Sequence, residues 1–187
     1  YLNTFSDEGQ KVYGATKPAG CPPFTLVSIS DLDWSHDMAP WDSPSAFKNA
    51  EPCTGGADEY LRLLTEEIIP ATERELPRPP GGGGLLDTLW LGCLRCMPST
   101  GRLFPGIKEY VLSREAKRLP DCMYFSLGDQ ESKTRNPVLR SVRQNTEDIR
   151  AFYQAKGIDT VFQLNPGNHY DHAAERTAAG IVWLLSR

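Results

Sequence analysis

Two short apolar runs in the C-terminal part of the chain constrain the fold more than any other feature. Met123–Leu127 leads into the turn Gly128–Glu131, and Thr160–Leu164 leads into the glycine-containing turn Asn165–Tyr170. A helix-forming stretch, residues 137–156, separates the two runs. Strands that alternate with helices form parallel sheets with right-handed crossovers, so the runs predict two parallel strands. Each turn then follows the carboxyl end of its strand.

Upstream of these runs the chain shows the same alternation of apolar segments and loops. Phe24–Ser30 is an apolar run whose length suits a strand buried on both faces. Residues 31–56 are predicted to be loop-like, because Pro40, Pro44 and Pro52 punctuate them. Apolar residues at helical spacing predict helices at Gln10–Thr16, from Asp58 onward, and at Ile107–Arg118, Pro137–Lys156 and Ala173–Ser186.

Composition limits the classes of partner. A chain of 187 residues fits a single domain, 1–187, with a substantial core. Its formal net charge of −4 argues against nucleic acid as the main partner, because neutralising phosphates needs a basic face. No apolar run is long enough to cross a bilayer, so no membrane partner is expected. The five cysteines are an odd, scattered set unlike a disulfide framework, and the expected location is the reducing cytoplasm.

Several motifs, in a specific order and spacing, resemble one branch of the α/β-hydrolases, the esterases that include enterochelin esterases and esterase D. The resemblance implies an α/β fold with a mostly parallel sheet and flanking helices, a three-layer sandwich. It covers most of the chain outside residues 78–102, which are irregular, and the family has further strands before Tyr1, so the N-terminal edge of the sheet is expected to be truncated. The motifs are YLNTF at Tyr1–Phe5, WSHDMAPW at Trp34–Trp41, GGAD at Gly55–Asp58, LFPG at Leu103–Gly106, SLGDQE at Ser126–Glu131 and PGNHY at Pro166–Tyr170.

The resemblance also implies a serine, histidine and acid site, in which the acid and the histidine follow the nucleophile along the chain. His169 would be the general base, at the carboxyl edge of the sheet. The acid is open between two residues: Asp129 directly follows Gly128, whereas Glu131 has the Gly-x-x-acid spacing. A carboxylate that merely stabilises the turn is a third interpretation. The expected substrate is a small-molecule ester.

Further site residues follow from the same resemblance. The backbone N–H of Thr4 or Phe5, after the first strand, would supply one donor of the oxyanion hole. His36, Asp37 and Trp41 would line the substrate pocket, although a plain loop role is as plausible for His36. Neither a cofactor nor a metal is implied.

The serine elbow itself is missing from the chain. No Gly-x-Ser-x-Gly motif occurs, although the family would have it between the helix from Asp58 and Leu103–Gly106. One set of codons that encodes Leu85–Gly101, when read from its third base, gives AGYSLAGLFALYAVYR, an elbow followed by an apolar helix. We therefore hypothesise that residues from about Gly81 to Gly101 are a shifted-frame product and that some sequence before Leu103 is lost. The isolated Cys93-x-x-Cys96 pair would then be accidental.

Two functional interpretations remain. By lineage the chain is a carboxylic-ester hydrolase, inactive as written because the nucleophile is missing. The alternative is a non-catalytic, hydrolase-like protein that binds a ligand, or a frameshifted fragment. Turnover of a short acyl p-nitrophenyl ester distinguishes these interpretations, because only a chain with a nucleophile forms an acyl-enzyme.

Overall fold

Two parallel β-strands form the sheet of the described structure. The computed structural model describes residues 7–25, 27, 29, 31–45, 50–75, 106–113, 119–120 and 122–186. Strand β1 spans Cys122–Gly128 and strand β2 spans Asp159–Asn165. They pair in parallel, with Cys122 opposite Asp159 and Gly128 opposite Asn165. The two predicted parallel strands are therefore confirmed, and both end at the same level of the sheet.

Helices account for much of the remaining described chain. Within these residues the α-helices are α1 Asp7–Thr16, α2 Trp34–Asp37, α3 Ala57–Leu63, α4 Ile69–Glu75, α5 Ile107–Ser113, α6 Pro137–Arg140, α7 Val142–Ala155 and α8 Ala173–Leu185. A 3₁₀ turn, Lys17–Ala19, follows α1, and a π-helical turn, Leu64–Ile68, joins α3 to α4. Each of them is too short or too polar to span a bilayer.

Strand β1 is buried because helices cover both faces of the sheet. Met123 and Phe125 pack with Ile149 of α7 on one face. Tyr124 faces α8, where its ring centroid lies 5.9 Å from that of Trp183. Successive side chains of a strand point to opposite faces, so a strand covered on both sides is apolar nearly throughout. The arrangement is α/β, and the continuous apolar run of β1 follows from it.

The crossover from β1 to β2 has ends that the local sequence fixes. Oδ1 of Asn136 accepts a hydrogen bond from the N–H of Val138 at 3.0 Å, and Pro137 occupies the first turn of α6. Gly157 has a φ of +83°, a left-handed conformation that glycine adopts without strain. The chain therefore turns at Gly157, two residues after the end of α7 at Ala155, and β2 begins two residues later at Asp159.

The predicted buried strand at Phe24–Ser30 is not found in the residues described there. Phe24, Thr25, Val27 and Ile29 are not in a strand, and Val27 is 38% exposed. A buried strand needs a neighbour that pairs with its backbone N–H and C=O groups. In the described part of the chain the sheet consists of β1 and β2 alone. The apolar run therefore predicted an element that has no pairing partner here.

Several boundaries also differ from the prediction: α1 begins at Asp7 rather than Gln10, and α3 begins at Ala57 rather than Asp58. Residues 31–56 are not wholly loop, since they contain α2 and an antiparallel bridge between Ser43 and Cys53. The predicted helix Pro137–Lys156 is divided at Ser141 into α6 and α7. Of the helix predicted at Ile107–Arg118, the part after α5 lies outside the described residues, as do the irregular segment 78–102 and the segment 1–6.

Candidate active site

The turn that follows β1, Gly128–Glu131 (the acidic turn), is hydrogen-bonded to the turn that follows β2, Asn165–Tyr170 (the histidine turn). The N–H of Asp129 donates to the carbonyl oxygen of Asn165 at 2.7 Å, and the N–H of Gln130 donates to that of Gly167 at 2.9 Å. Gly128 lies against the second turn so closely that a Cβ there would be 2.7 Å from the carbonyl oxygen of Asn168. Glycine at 128 therefore lets the acidic turn and the histidine turn touch.

His169 and Glu131 form a side-chain pair across these two turns. Nδ1 of His169 lies 3.2 Å from Oε2 of Glu131. The Glu131 side chain is 8% exposed and that of His169 is 37% exposed. An ionised carboxylate can only accept hydrogen bonds, so the contact requires the proton on Nδ1. Nε2 then carries the lone pair, which is the arrangement that a histidine needs to act as a general base.

The second oxygen of Glu131 is held from two directions. Oε1 accepts a hydrogen bond from the N–H of Gly128 at 2.6 Å and another from Nη2 of Arg176 at 3.2 Å. Arg176 lies in α8, and no pattern in the sequence singled it out. The available signal was its position in an alanine-rich helix, Ala173–Ala179, where a lone arginine beside small residues faces the sheet.

Asp129, the other candidate acid, stabilises the junction between the turns. Its Oδ1 accepts from the N–H of Gly167 at 3.0 Å and from Nε2 of Gln130 at 2.9 Å. The Gln130 side chain, and after it the Gly167 amide, hold the pKa of Asp129 below its ordinary value. Of the two carboxylates that the sequence left open, Glu131 contacts His169 and Asp129 binds the backbone of the histidine turn.

The lowered pKa of Asp129 makes the turn junction sensitive to acid. A group whose folded-state pKa is depressed stabilises the fold above its unfolded-state pKa and loses that contribution as the pH falls through the folded-state value. In Asp129→Asn we expect a lower urea midpoint than wild type above about pH 4, with the difference shrinking as the pH falls further. The asparagine oxygen can still accept from the N–H of Gly167, so the substitution removes mainly the charge. Asp148 also has a lowered pKa, but both proteins contain it, so its effect cancels in the difference between them. A difference in urea midpoint between the two proteins that stays constant as the pH falls below about 4 would contradict a stabilising role for the ionised Asp129.

The three residues predicted to line a substrate pocket, His36, Asp37 and Trp41, do not all line the same cavity. His36 and Asp37 contribute to a cavity of about 480 Å³, whose lining in the described chain includes neither His169 nor Glu131. Nδ1 of His36 lies 2.9 Å from Oγ1 of Thr54. Trp41 packs instead against Tyr110, with ring centroids 5.2 Å apart. The described structure therefore does not bring this group and the His169–Glu131 pair into one cavity.

Thr4 and Phe5 lie outside the described residues, so the oxyanion-hole prediction stays a prediction. Ser126 is 9% exposed, and its Oγ accepts hydrogen bonds from Nε of Arg176 and Nδ2 of Asn165. Within the described ranges no three histidine, cysteine or acidic side chains cluster in a way that could hold a metal ion.

No protein-family model matches the chain, and neither a curated protein nor a solved structure matches it. The functional interpretation therefore depends on the contacts of His169 and Glu131.

Proposed function

We propose that the gene for this chain encodes a carboxylic-ester hydrolase of the α/β-hydrolase type, in which His169 is the general base and Glu131 is the acid. The observation that carries the proposal is the 3.2 Å contact between His169 Nδ1 and Glu131 Oε2, at the carboxyl ends of two neighbouring parallel strands. Catalytic side chains of open α/β sheets come from this edge. The order of acid and then histidine along the chain is the order found in that fold.

The chemistry that this pair supports is acyl transfer through a serine. The serine oxygen bonds to the acyl carbon, the bond to the leaving alcohol breaks, and the proton passes from serine to Nε2 of His169 and on to the alcohol oxygen. Water then hydrolyses the acyl-enzyme by the same proton route. The Glu131 carboxylate accepts from Nδ1 throughout and stabilises the imidazolium that forms at each transfer.

The complete fold that we propose is a three-layer sandwich, of which β1, β2 and their flanking helices are the C-terminal part. In this fold the missing strand and the serine elbow would lie beside β1, and Thr4 or Phe5 would supply an oxyanion donor. The chain as written contains no Gly-x-Ser-x-Gly motif, so we propose that it is catalytically inactive in this form.

The coding properties of the segment support a shifted frame. Codons for Trp90, Cys93 and Cys96 all begin with TG, so each shifted codon ending in those two bases encodes Leu, Val or Met. The first of them is the Leu of the elbow, and the other two lie three positions apart in the stretch that follows, a spacing that suits one face of a helix. The shifted codon across Met97 and Pro98 is GCC, alanine, for any proline codon. Three positions after the elbow are therefore apolar for every choice of codons, and the others depend on the codons used.

The elbow itself makes specific demands on the nucleotide sequence. Reading Gly-Tyr-Ser-Leu-Ala-Gly requires G as the third base of the Leu86 codon and T as the third base of the Asp87 and Thr88 codons. The codon of Leu89 must begin with CT and end in T or C, and the codon of Leu91 must be CTG. In this version alanine occupies the last position of Gly-x-Ser-x-Gly. A third base other than G at Leu86 or other than T at Thr88, or a Leu89 codon that begins with TT, would exclude a serine elbow at this place, whereas the other Asp87 codon would only replace the tyrosine by histidine.

Ester hydrolysis tests the function. We define the restored-frame protein as the product in which the nucleotides of residues 85–101 are read in the shifted frame and any lost downstream sequence is reinstated. This protein is expected to hydrolyse p-nitrophenyl acetate and butyrate at an enzymatic rate, whereas the chain as written gives only background release. Alanine at the elbow serine is the matched control and should return the rate to background.

Two results would count against the proposal. Serine-dependent turnover by the chain as written would show that the nucleophile lies elsewhere. A restored-frame protein that folds but gives no turnover would favour the non-catalytic, ligand-binding alternative.

A further inference from the structure

Arg176 is a buried charge that touches every part of the candidate site. Its side chain is 8% exposed. Nε donates to Oγ of Ser126 at 3.0 Å, and Nη1 donates to the carbonyl oxygens of Asn168 at 3.1 Å and His169 at 3.4 Å. Nη2 donates to Oε1 of Glu131 at 3.2 Å. All three nitrogens of one guanidinium therefore bind β1, the acidic turn and the histidine turn.

A guanidinium suits this position better than any other cation. Burying an unpaired charge is strongly unfavourable, and Arg176 offsets it with a buried carboxylate and three neutral acceptors. The planar fork holds its donors in fixed directions and stays charged at any pH at which proteins remain folded. A lysine would bring a single nitrogen, which could reach Glu131 or the two carbonyl groups but could not reproduce the whole set of contacts.

The contacts of Arg176 determine which oxygen of Glu131 faces the histidine. Oε1 is taken by Arg176 and by the N–H of Gly128, which leaves Oε2 toward Nδ1 of His169. The same guanidinium holds the backbone carbonyl of His169, and so fixes the turn from which the imidazole extends. One side chain thus orients both members of the pair.

We propose that Arg176 is a positioning residue that keeps His169 in the Nδ1–H tautomer by fixing the Glu131 carboxylate and the histidine turn together. The proposal deepens the esterase function, on which its catalytic meaning rests, but its physical content is a property of the chain as written. Losing Arg176 leaves a buried carboxylate with fewer donors, and such a group turns toward solvent or takes up a proton. His169 Nδ1 then loses its acceptor.

The tautomer can be read from the ring nitrogens. We would record long-range proton–nitrogen NMR spectra of the ¹⁵N-labelled full chain at about pH 8, above the usual titration range of histidine. The signals of His169 are identified by their disappearance in His169→Gln. Wild type is expected to show a single Nδ1–H pattern. Arg176→Met and Glu131→Ala are both expected to lose it and to show the mixed tautomers of a solvated imidazole.

Arg143→Met is the matched control for removing an arginine. Arg143 lies on the exposed side of α7 and pairs with Glu147 at 3.0 Å, so its loss should leave the His169 pattern unchanged. Retention of the pure Nδ1–H pattern in folded Arg176→Met would overturn the proposal.

If Arg176→Met does not fold, Arg176→Lys tests the positioning role of Arg176 instead. Lysine keeps the positive charge but lacks the planar guanidinium with its several donors, so we expect an Nδ1–H fraction of His169 between those of wild type and Glu131→Ala. A pattern identical to wild type would refute the need for a guanidinium. The result is separable from the esterase proposal. A mixed His169 pattern in wild type refutes the positioning role, whereas an inactive restored-frame protein refutes the enzyme function and leaves the tautomer result standing.

Discussion

Replacing His169 with alanine is expected to lower kcat of the restored-frame protein for p-nitrophenyl acetate by about 10⁴-fold or more. The serine proton would then have no acceptor at the position where the Nε2 lone pair stands, and the leaving alcohol would have no proton donor. Substrate binding does not need the imidazole, so KM should change much less than kcat. Initial rates over a range of ester concentrations measure both constants.

His172→Ala is the control for this substitution. His172 is exposed and precedes α8, three residues beyond His169. Its loss should leave kcat within about twofold, because an exposed side chain outside the His169–Glu131 contact contributes little, and alanine keeps the backbone carbonyl that accepts from the N–H of Arg176. Equal losses of activity in the two variants, both folded, would remove His169 from the role of base. Substitution of Glu131 by glutamine should also lower kcat, since the amide carries no charge and its single oxygen cannot accept from both Arg176 and Nδ1 of His169.

Gly128→Ala is expected to destabilise the folded chain by about 3 kcal/mol, the upper part of the range for an overpacked buried site. The added Cβ would meet the carbonyl oxygens of Gly167 and Asn168, which are backbone atoms and cannot swing away as a side chain would. The two turns must separate to admit it, and the His169–Glu131 contact lies between them. Urea unfolding measures the stability, and the His169 ring spectrum reports the pair.

Gly14→Ala is the matched glycine substitution. Gly14 lies inside α1, and among the described residues a Cβ built there meets no heavy atom within 4 Å apart from its chain neighbours and the backbone of its own helix. Alanine is the better helix former by about 0.5–1 kcal/mol, so this variant should be at least as stable as wild type. If both glycine variants unfolded at the same urea concentration as wild type, close packing of the two turns would not be the reason for glycine at 128.

The elements predicted well from sequence are those whose pattern and neighbours agree. The runs at Met123–Leu127 and Thr160–Leu164 became β1 and β2 because each has the other as a pairing partner and helices to cover it. Phe24–Ser30 has an equally apolar pattern, but no described strand pairs with it. Hydrophobic periodicity indicates what a segment can become, whereas a strand also requires a partner that local sequence does not reveal.

The roles of the two carboxylates could not be separated by spacing. Asp129 and Glu131 lie two residues apart in one turn, and either could have faced His169. The short side chain of Asp129 reaches the amide of Gly167, while the longer one of Glu131 lies between Gly128, Arg176 and the imidazole. Arg176 was missed for a related reason, because two of its partners lie 45 and 50 residues earlier in the chain and the other two are backbone carbonyl oxygens.

The hydrogen bond from Arg176 to Ser126 spans 50 residues of the chain. The contact of Arg176 with Glu131 spans 45 residues, and that of His169 with Glu131 spans 38. The entropy lost on closing such a loop grows only with the logarithm of its length. His169, Glu131 and Arg176 are thus drawn from one contiguous stretch, Ser126–Arg176, which runs from the end of β1 through the crossover helices and β2 into α8. The hydrogen bonds of Arg176 with Ser126, Glu131 and the histidine turn therefore use no residue translated before Ser126, although α8 itself also packs against α1.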